Sequence, residues 1–328
     1  MSTQPNNALK IVYNRLSTFR ETGLIIIILV VSIIIAIATP YFLTADNLLV
    51  VAIGLSADGI VAVGMTIALV SGGFDLSVGA LMGLTGVFAG VLIQNGINAW
   101  IACLLTLLLG ASLGLLNGFL IGKVGLNPFI TTLGAMSVAR GMAFAVTTGT
   151  TVSLTNISSS FSFIGEGRIL GVSPIIIIFA VVAIVGDFMM RRSDVCRKVF
   201  YLGSNEKTAI LSGINTTKVK IGVYLVTAIL SSIAGLVTLS RFSGASPSGG
   251  TGAELRVISA AIIGGTSLKG GEGTVLGTVL GIVLLSFISN ALVLLNISVY
   301  WQSLINGVIL LLAVTIDHVS HNRRRMVS

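Results

Sequence analysis

From Leu24 to Ala38 the chain is an unbroken run of apolar or small residues, closed by Pro40, and comparable runs recur along the sequence. Crossing the ~30 Å hydrocarbon core of a bilayer takes ~20 predominantly apolar residues in a helix. Spans are expected near 24–39, 48–71, 76–93, 99–121, 128–148, 173–190, 219–240, 256–266, 274–292 and 301–316. The composition agrees: 54% of residues are hydrophobic and 9% charged, where soluble domains carry ~25% charge. Such a chain cannot cover its own surface with polar groups, so lipid must be its solvent. The expected class is an all-α polytopic membrane protein of about ten transmembrane segments. The eighth is too short to cross alone, because its ~11 residues rise only ~16 Å. It is expected to be a half-span followed by a turn over 264–273. Irregular backbone at that depth must be buried in protein or line a cavity, so Gly264, Gly265, Gly270 and Gly271 should be enclosed.

Lysine and arginine set the orientation. Lys10, Arg15 and Arg20 precede the first span and place the N-terminus in the cytoplasm; ten crossings return Arg323, Arg324 and Arg325 to the same side. Lys123, the cluster Arg191, Arg192, Arg197, Lys198, Lys207, Lys218 and Lys220, and Lys269 then also fall inside. That puts fifteen of the nineteen basic residues in the cytoplasm, leaving Arg140, Arg168, Arg241 and Arg256 in spans or outer loops. The net charge of +8 therefore records topology, and nucleic-acid binding explains it poorly.

The domain organisation expected is a cytoplasmic N-terminal segment (1–23), one transmembrane domain (24–316) and a basic cytoplasmic tail (317–328). Two stretches interrupt the spans. The outer loop, about 149–172, is rich in Thr, Ser and Gly and reads as irregular surface structure. The cytoplasmic insertion, about 191–220, contains Val199–Gly213, where Ser204-Asn205 suits the cap of a short helix Glu206–Leu211 and Gly213 suits its end. Such a helix fits a docking element for another protein; an ordinary basic loop is the alternative. Candidate coupling residues are Gly203, Asn205, Glu206, Ala209, Ser212 and Gly213, with Glu206 free to meet a basic residue of the partner and the small residues letting the helix sit in a groove.

Glycine is the second organising signal, with 39 residues. Gly110, Gly114, Gly118 and Gly122 fall at four-residue spacing, as do Gly79 with Gly83 and Gly273, Gly277 and Gly281. That spacing gathers small residues on one helix face and allows close packing in lipid. Two membrane segments are also broken by glycine pairs: Ile67–Gly83 at Gly72-Gly73, and Ala261–Gly277 at Gly264-Gly265 and Gly270-Gly271. Glycine-interrupted segments in matching halves point to a transporter core. Both breaks are expected on the cytoplasmic side, which favours parallel repeats.

Ionisable residues inside spans cost several kcal/mol and need a reason. Asp58 lies in the second span, Arg140 in the fifth and Asp75 at the first glycine break. Asp58 and Arg140 are expected either in a structural role, paired with each other or with a backbone carbonyl, or on a solute path. Asn117, Asn290, Trp301, Gln302 and Asn306 complete the candidate path, with helix-to-helix hydrogen bonding as the alternative. Asp187 and Arg191 are spaced to pair locally, and Asp317 sits at an interface. Cys103 and Cys196 fall at different levels and are not expected to form a disulfide. His318 and His321 have no companion ligands, so no metal site is expected. Gly122-Lys123 lacks the remainder of a phosphate loop, since Val124 follows it and Asn117 stands at the first glycine position. The chain is not expected to bind ATP itself, and no catalytic constellation appears.

Four ordered stretches carry a resemblance. Ser71–Gly79 (SGGFDLSVG) is similar to the GGIDLSVG signature of ribose/galactose-type ABC sugar permeases. Asn127–Gly141, Val199–Asn215 and Gly252–Gly273 resemble the same family in the same order, and with Trp301-Gln302 the match covers nearly the whole chain. Phe74 replaces the usual Ile, and Arg256 stands where an Asp is frequent. The resemblance implies the ABC importer permease fold and a non-catalytic subunit of the bacterial inner membrane. Two permease chains would form the monosaccharide path. A periplasmic binding protein would deliver the sugar, and a tandem-cassette ATPase would hold ATP and magnesium. Val199–Gly213 would be the coupling helix, transmitting cassette closure to the permease pair. Rival readings are a related importer for branched-chain amino acids, a secondary transporter, which needs no docking helix, and a membrane enzyme, which needs a catalytic cluster.

Overall fold

The computed structural model describes residues 21–155, 158–298 and, between 300 and 315, all but 303 and 306. The N-terminal segment through Arg20, Asn306 and the tail with Asp317, His318 and His321 lie outside the described residues. The chain is built from helices. In order these are α1 (Thr22–Ala38), α2 (Ala45–Val70), α3 (Val78–Gln94), α4 (Ala99–Phe119), α5 (Pro128–Thr147), α6 (Ser159–Glu166) and α7 (Pro174–Arg192). They continue as α8 (Asp194–Ser204), α9 (Glu206–Leu211), α10 (Thr216–Phe242), α11 (Ala253–Ile263) and α12 (Val275–Leu294). Six helices are long and apolar enough to cross a membrane: Ala45–Val70, Ala99–Val124, Pro128–Thr147, Pro174–Arg192, Thr216–Phe242 and Val275–Leu294. Thr22–Ala38, Val78–Gln94 and Tyr300–Thr315 are shorter apolar helices.

The long helix α10 is the centre, packed against α2, α3 and α4. The glycine faces explain how it comes so close. A Cβ on Gly110, Gly114 or Gly118 would run into Ser232, Ala228 and Ile221 of α10, so α4 and α10 lie backbone against backbone. Gly277 and Gly281 do the same for α12 against Gly264 and Ala260. Where backbones approach this closely, dispersion and packing replace the hydrophobic drive that lipid removes. The outward faces carry lipid-suited residues, among them Ile33, Ile34 and Ile37 on α1, Leu104 and Leu108 on α4, and Ile184 and Phe188 on α7.

Two loops are more ordered than composition suggests. The outer stretch is not irregular throughout: Val152–Ser153 (β1) pairs antiparallel with Gly244–Ala245 (β2), and α6 packs on α10. Phe161 is fully buried there, and its carbonyl accepts the Ser240 hydroxyl at 2.7 Å. The stretch 191–220 contains α8 as well as the expected α9. Ser193 caps α8 by accepting from the Val195 amide at 3.2 Å, and Cys196, Val199 and Leu202 form its buried stripe. Both cysteines are free, and burial pushes the Cys196 thiol up from its ordinary value.

The short helix and the turn after it are present as expected, but the four glycines of the turn are not fully enclosed. α11 has 11 residues, lies beside α2 and turns back through 264–274 into α12. Gly264, Gly265, Gly270 and Gly271 are half-buried in that turn.

Candidate functional site

Near the middle of α2, Asp58 meets Arg256 of α11. Arg256 Nε donates to Oδ2 at 2.8 Å and Nη2 to Oδ1 at 3.1 Å, a two-pronged ion pair that fixes α11 against α2. Asp58 is thus paired with Arg256, not with Arg140, because α11 folds back beside α2 while Arg140 lies beyond α3 on α5. Arg140 instead uses Nη1 to donate to two carbonyls, Pro247 O and Gly249 O, each at 2.7 Å. Arg256 Nη1 reaches Thr251 O at 3.5 Å. The connection from α10 to α11 therefore re-enters the molecule and is held by a guanidinium on each side. Glu254 Oε1 accepts from the Gly252 amide at 3.2 Å, and Oε2 is buried without a hydrogen-bond partner among the described residues. Gly79 and Gly83 press against this connection: a Cβ on either would overlap Gly250 O or Gly249 O. Their four-residue spacing serves a loop backbone, not another helix.

A cavity of about 240 Å³ between α2 and α12 joins Asp58 and Arg256 to Ser286, Ser289 and Asn290. Asn290 is also half of a reciprocal amide pair with Asn47, at 2.9 Å in both directions. Asp75 and Asn117 belong to a different group. Asp75 is 1% exposed, and its Oδ1 accepts both from the Ser77 amide at 2.8 Å and from the Ser77 hydroxyl. Asn117 Nδ2 donates to that hydroxyl at 3.3 Å. Ser77 and Asn117 border an apolar cleft of about 390 Å³ between α3, α4 and α5. Trp301 is exposed, and Gln302 Nε2 donates to Ile297 O at 3.3 Å, neither reaching Asp58. Of the residues singled out from the sequence, then, Asp58 and Asn290 share one cavity, Asn117 borders another with the buried Asp75 joined to it through Ser77, and Trp301 and Gln302 stand apart.

One end of the helix bundle gathers the glycine breaks. Gly271 N donates to Val70 O at 2.9 Å. Gly203, at the end of α8, sits where any Cβ would overlap Val70 O and crowd Gly271 N. Gly270 adopts φ +82° and lies against Gly72, and Gly271 at φ +76° lies against Ser204. The two broken segments and α8 thus form a single backbone junction. Gly73, by contrast, is buried beneath the Tyr224 hydroxyl.

Beyond the junction, Asn205 caps α9 by accepting from the Thr208 amide at 3.1 Å, and Gly213 ends it at φ +79°. A cavity of about 660 Å³ is bordered by Arg197, Lys198, Tyr201, Asn205, Ala209 and Ser212. Two expectations change. Glu206 binds Lys220 of this same chain, Nζ to Oε1 at 2.7 Å, and so is already paired. Ala209 is 2% exposed, so a bulky residue there would break the chain's own packing before it blocked a partner. On α9, Ile210 at 54% and Leu211 at 88% exposure add an apolar edge to the exposed Glu206, Lys207 and Thr208. Asp187 and Arg191 pair as spaced, at 2.6 Å.

A family model described as the branched-chain amino acid transport system / permease component matches residues 44–314. The chain is 38% identical over 300 residues to the ribose import permease protein of Escherichia coli strain K12, covering 91% of this chain and 94% of the relative. It is 35% identical over 327 residues to the L-arabinose transport system permease protein of the same strain, covering 100% and 99%. The L-arabinose ABC transporter permease protein of Azospirillum brasilense is 34% identical over 305 residues, covering 93% and 89%. No solved structure matches the chain.

Proposed function

The chain belongs to the family of branched-chain amino acid transport system permease components, and we propose that it is the membrane-spanning subunit of an ATP-driven bacterial importer for a monosaccharide. The observation that carries this is the near full-length identity to permeases named for ribose and for L-arabinose. The family description names amino acids, but these sugar permeases lie at 34–38% identity, which favours a sugar for this chain.

In this reading the chain crosses the inner membrane with both termini in the cytoplasm. Ten segments result if the six long helices and the three shorter apolar ones are joined by the half-span α11. Two copies face each other around the path. A periplasmic binding protein delivers the sugar, and a partner ATPase with two cassettes holds ATP and magnesium. Docking falls to the exposed Ile210-Leu211 edge of α9 and the basic cavity behind it. When the cassettes close, α9 and α8 move together, and the junction at Gly203 carries that motion into the breaks at Gly72 and Gly270-Gly271. Alternating access then needs only two packings of rigid helices, with the energy supplied by the partner.

The test is reconstitution of this chain with its ATPase and binding protein in liposomes. ATP-dependent uptake of a labelled pentose or hexose is expected. Uptake of leucine or isoleucine with no sugar uptake would reject the reading.

A further inference from the structure

We propose that residues 246–251, which re-enter the bilayer between α10 and α11, line the water-filled solute path and that Ser248 and Thr251 present their hydroxyls to a neutral polyhydroxylated solute. This rests on the permease reading given above. Depth comes first. Arg256, which contacts Thr251 O, is fixed to Asp58, and Asp58 lies halfway along a helix of 26 residues. At 1.5 Å per residue that helix is ~39 Å long, more than the hydrocarbon core. Thr251 is thus held near the bilayer centre.

The backbone there is not helical, yet its polar atoms are cared for. Arg140 serves Pro247 O and Gly249 O, Arg256 serves Thr251 O, and the Gly249 amide donates to Ser246 O at 2.8 Å. Gly249 and Gly250 close one side against Gly83 and Gly79. The other side is open, and Ser248 and Thr251 are exposed on it. Ser246 Oγ and Ser248 Oγ are 2.8 Å apart, and Thr251 Oγ1 donates to Ser248 O at 2.6 Å. Irregular backbone with exposed hydroxyls is not stable against lipid tails at this depth, because each polar group lacking a partner costs ~1–3 kcal/mol or more. Surfaces elsewhere on the molecule carry Leu, Ile and Phe, as on α1, α4 and α7. The hydroxyl face therefore looks onto water.

The lining continues outward. A cavity of about 420 Å³ beside the segment has Ser246, Thr151, Ser153 and Thr238 on its border and an apolar side of Met82, Leu239 and Phe242, within the usual size range of small-molecule sites. The charges at hand are already committed: Arg256 to Asp58, and Arg140 to two carbonyls. The Glu254 carboxylate is closed in against Gly79. An amino acid entering here would find no open carboxylate for its ammonium, since Asp58 is paired and Glu254 is closed in, whereas a sugar would find hydroxyls and carbonyls. That selects a neutral polyol.

The test uses Ser248→Cys and Thr251→Cys in the full importer, in liposomes, with a membrane-impermeant cationic methanethiosulfonate added from the binding-protein side. Leu108→Cys, on a face 58% exposed to lipid, is the comparison, and the unsubstituted chain sets the background from Cys103 and Cys196. The expectation is labelling of both variants at least ten-fold faster than Leu108→Cys, with sugar uptake lost on labelling. Labelling no faster than Leu108→Cys would place the face against lipid or a second subunit and overturn the proposal. Rapid labelling that leaves uptake intact would also overturn it, since the face would then be wet but off the path. If the unlabelled, unsubstituted importer takes up no monosaccharide at all, the functional reading fails and the proposal falls with it.

Discussion

The junction around Gly203 and the loop between α10 and α11 are both built on glycine, but they hold the chain by opposite means. At the junction, Gly203, Gly270 and Gly271 bring three segments into contact through backbone atoms, with no charge involved. At the loop, Gly79 and Gly83 only make room, and the holding is done by Arg140, Arg256 and Asp58. Backbone contact has almost no slack, which suits an element that must pass on a displacement. Guanidinium bonds to carbonyls tolerate a shift by exchanging one acceptor for another, which suits a segment that must open and reclose. Under the proposed function, the difference suits transmission at the junction and movement at the loop.

The comparison breaks most readily at Gly203. Gly203→Val would force its side chain into Val70 O and Gly271 N, which cannot retreat as a flexible side chain would. A loss of about 3 kcal/mol is expected, the upper range for overpacking, with transport abolished and a lower melting temperature in detergent. A variant of normal stability and transport would show that the junction has slack. Next comes Arg256→Leu, which leaves Asp58 without its partner. Breaking a buried pair costs ~3–5 kcal/mol, and here the lower end applies because the side chains keep 35% and 20% exposure. Asp58→Asn combined with Arg256→Gln should recover most of that stability by removing both charges, whereas no recovery would mean that the pair is not what holds α11. The smallest effect belongs to Asn290→Leu, which removes Asn47's partner on α12 and leaves its bond to Phe42 O. Interhelical hydrogen bonds in membranes average ~0.6 kcal/mol, so thermal stability should fall only slightly and uptake should stay within about two-fold. A larger loss of uptake at unchanged stability would move Asn290 from packing onto the path.

Six of the ten expected spans, the eleven-residue length of α11 and the short helix α9 are legible in the sequence because each has a local signal. Hydropathy marks those spans, eleven residues mark α11, and Asn205 and Gly213 bracket α9. The pairings are not legible. Asp58 and Arg256 are 198 residues apart, and nothing in either neighbourhood names the other. Glu206 is claimed by Lys220 only because the chain turns at Gly213 and rises again as α10. α8 and α6 had weaker signals that could have found them. Cys196, Val199 and Leu202 fall at three-residue spacing behind the Ser193 cap, and Phe161 stands among serines that a polar reading passes over.

The central claim is that motion enters at α9 and leaves at the mid-membrane segment, and one measurement reads both ends together. In the reconstituted importer, the labelling rate of Thr251→Cys is measured with and without a non-hydrolysable ATP analogue, in the parent background and with Leu211→Asp added. Leu211 is 88% exposed, so the added charge leaves the chain's own packing intact while it spoils an apolar docking surface. The expected result is a nucleotide-dependent change in rate of at least about five-fold, about 1 kcal/mol, in the parent background and none with Leu211→Asp. A nucleotide response that survives Leu211→Asp unchanged, or that is missing from the parent background, would contradict the account.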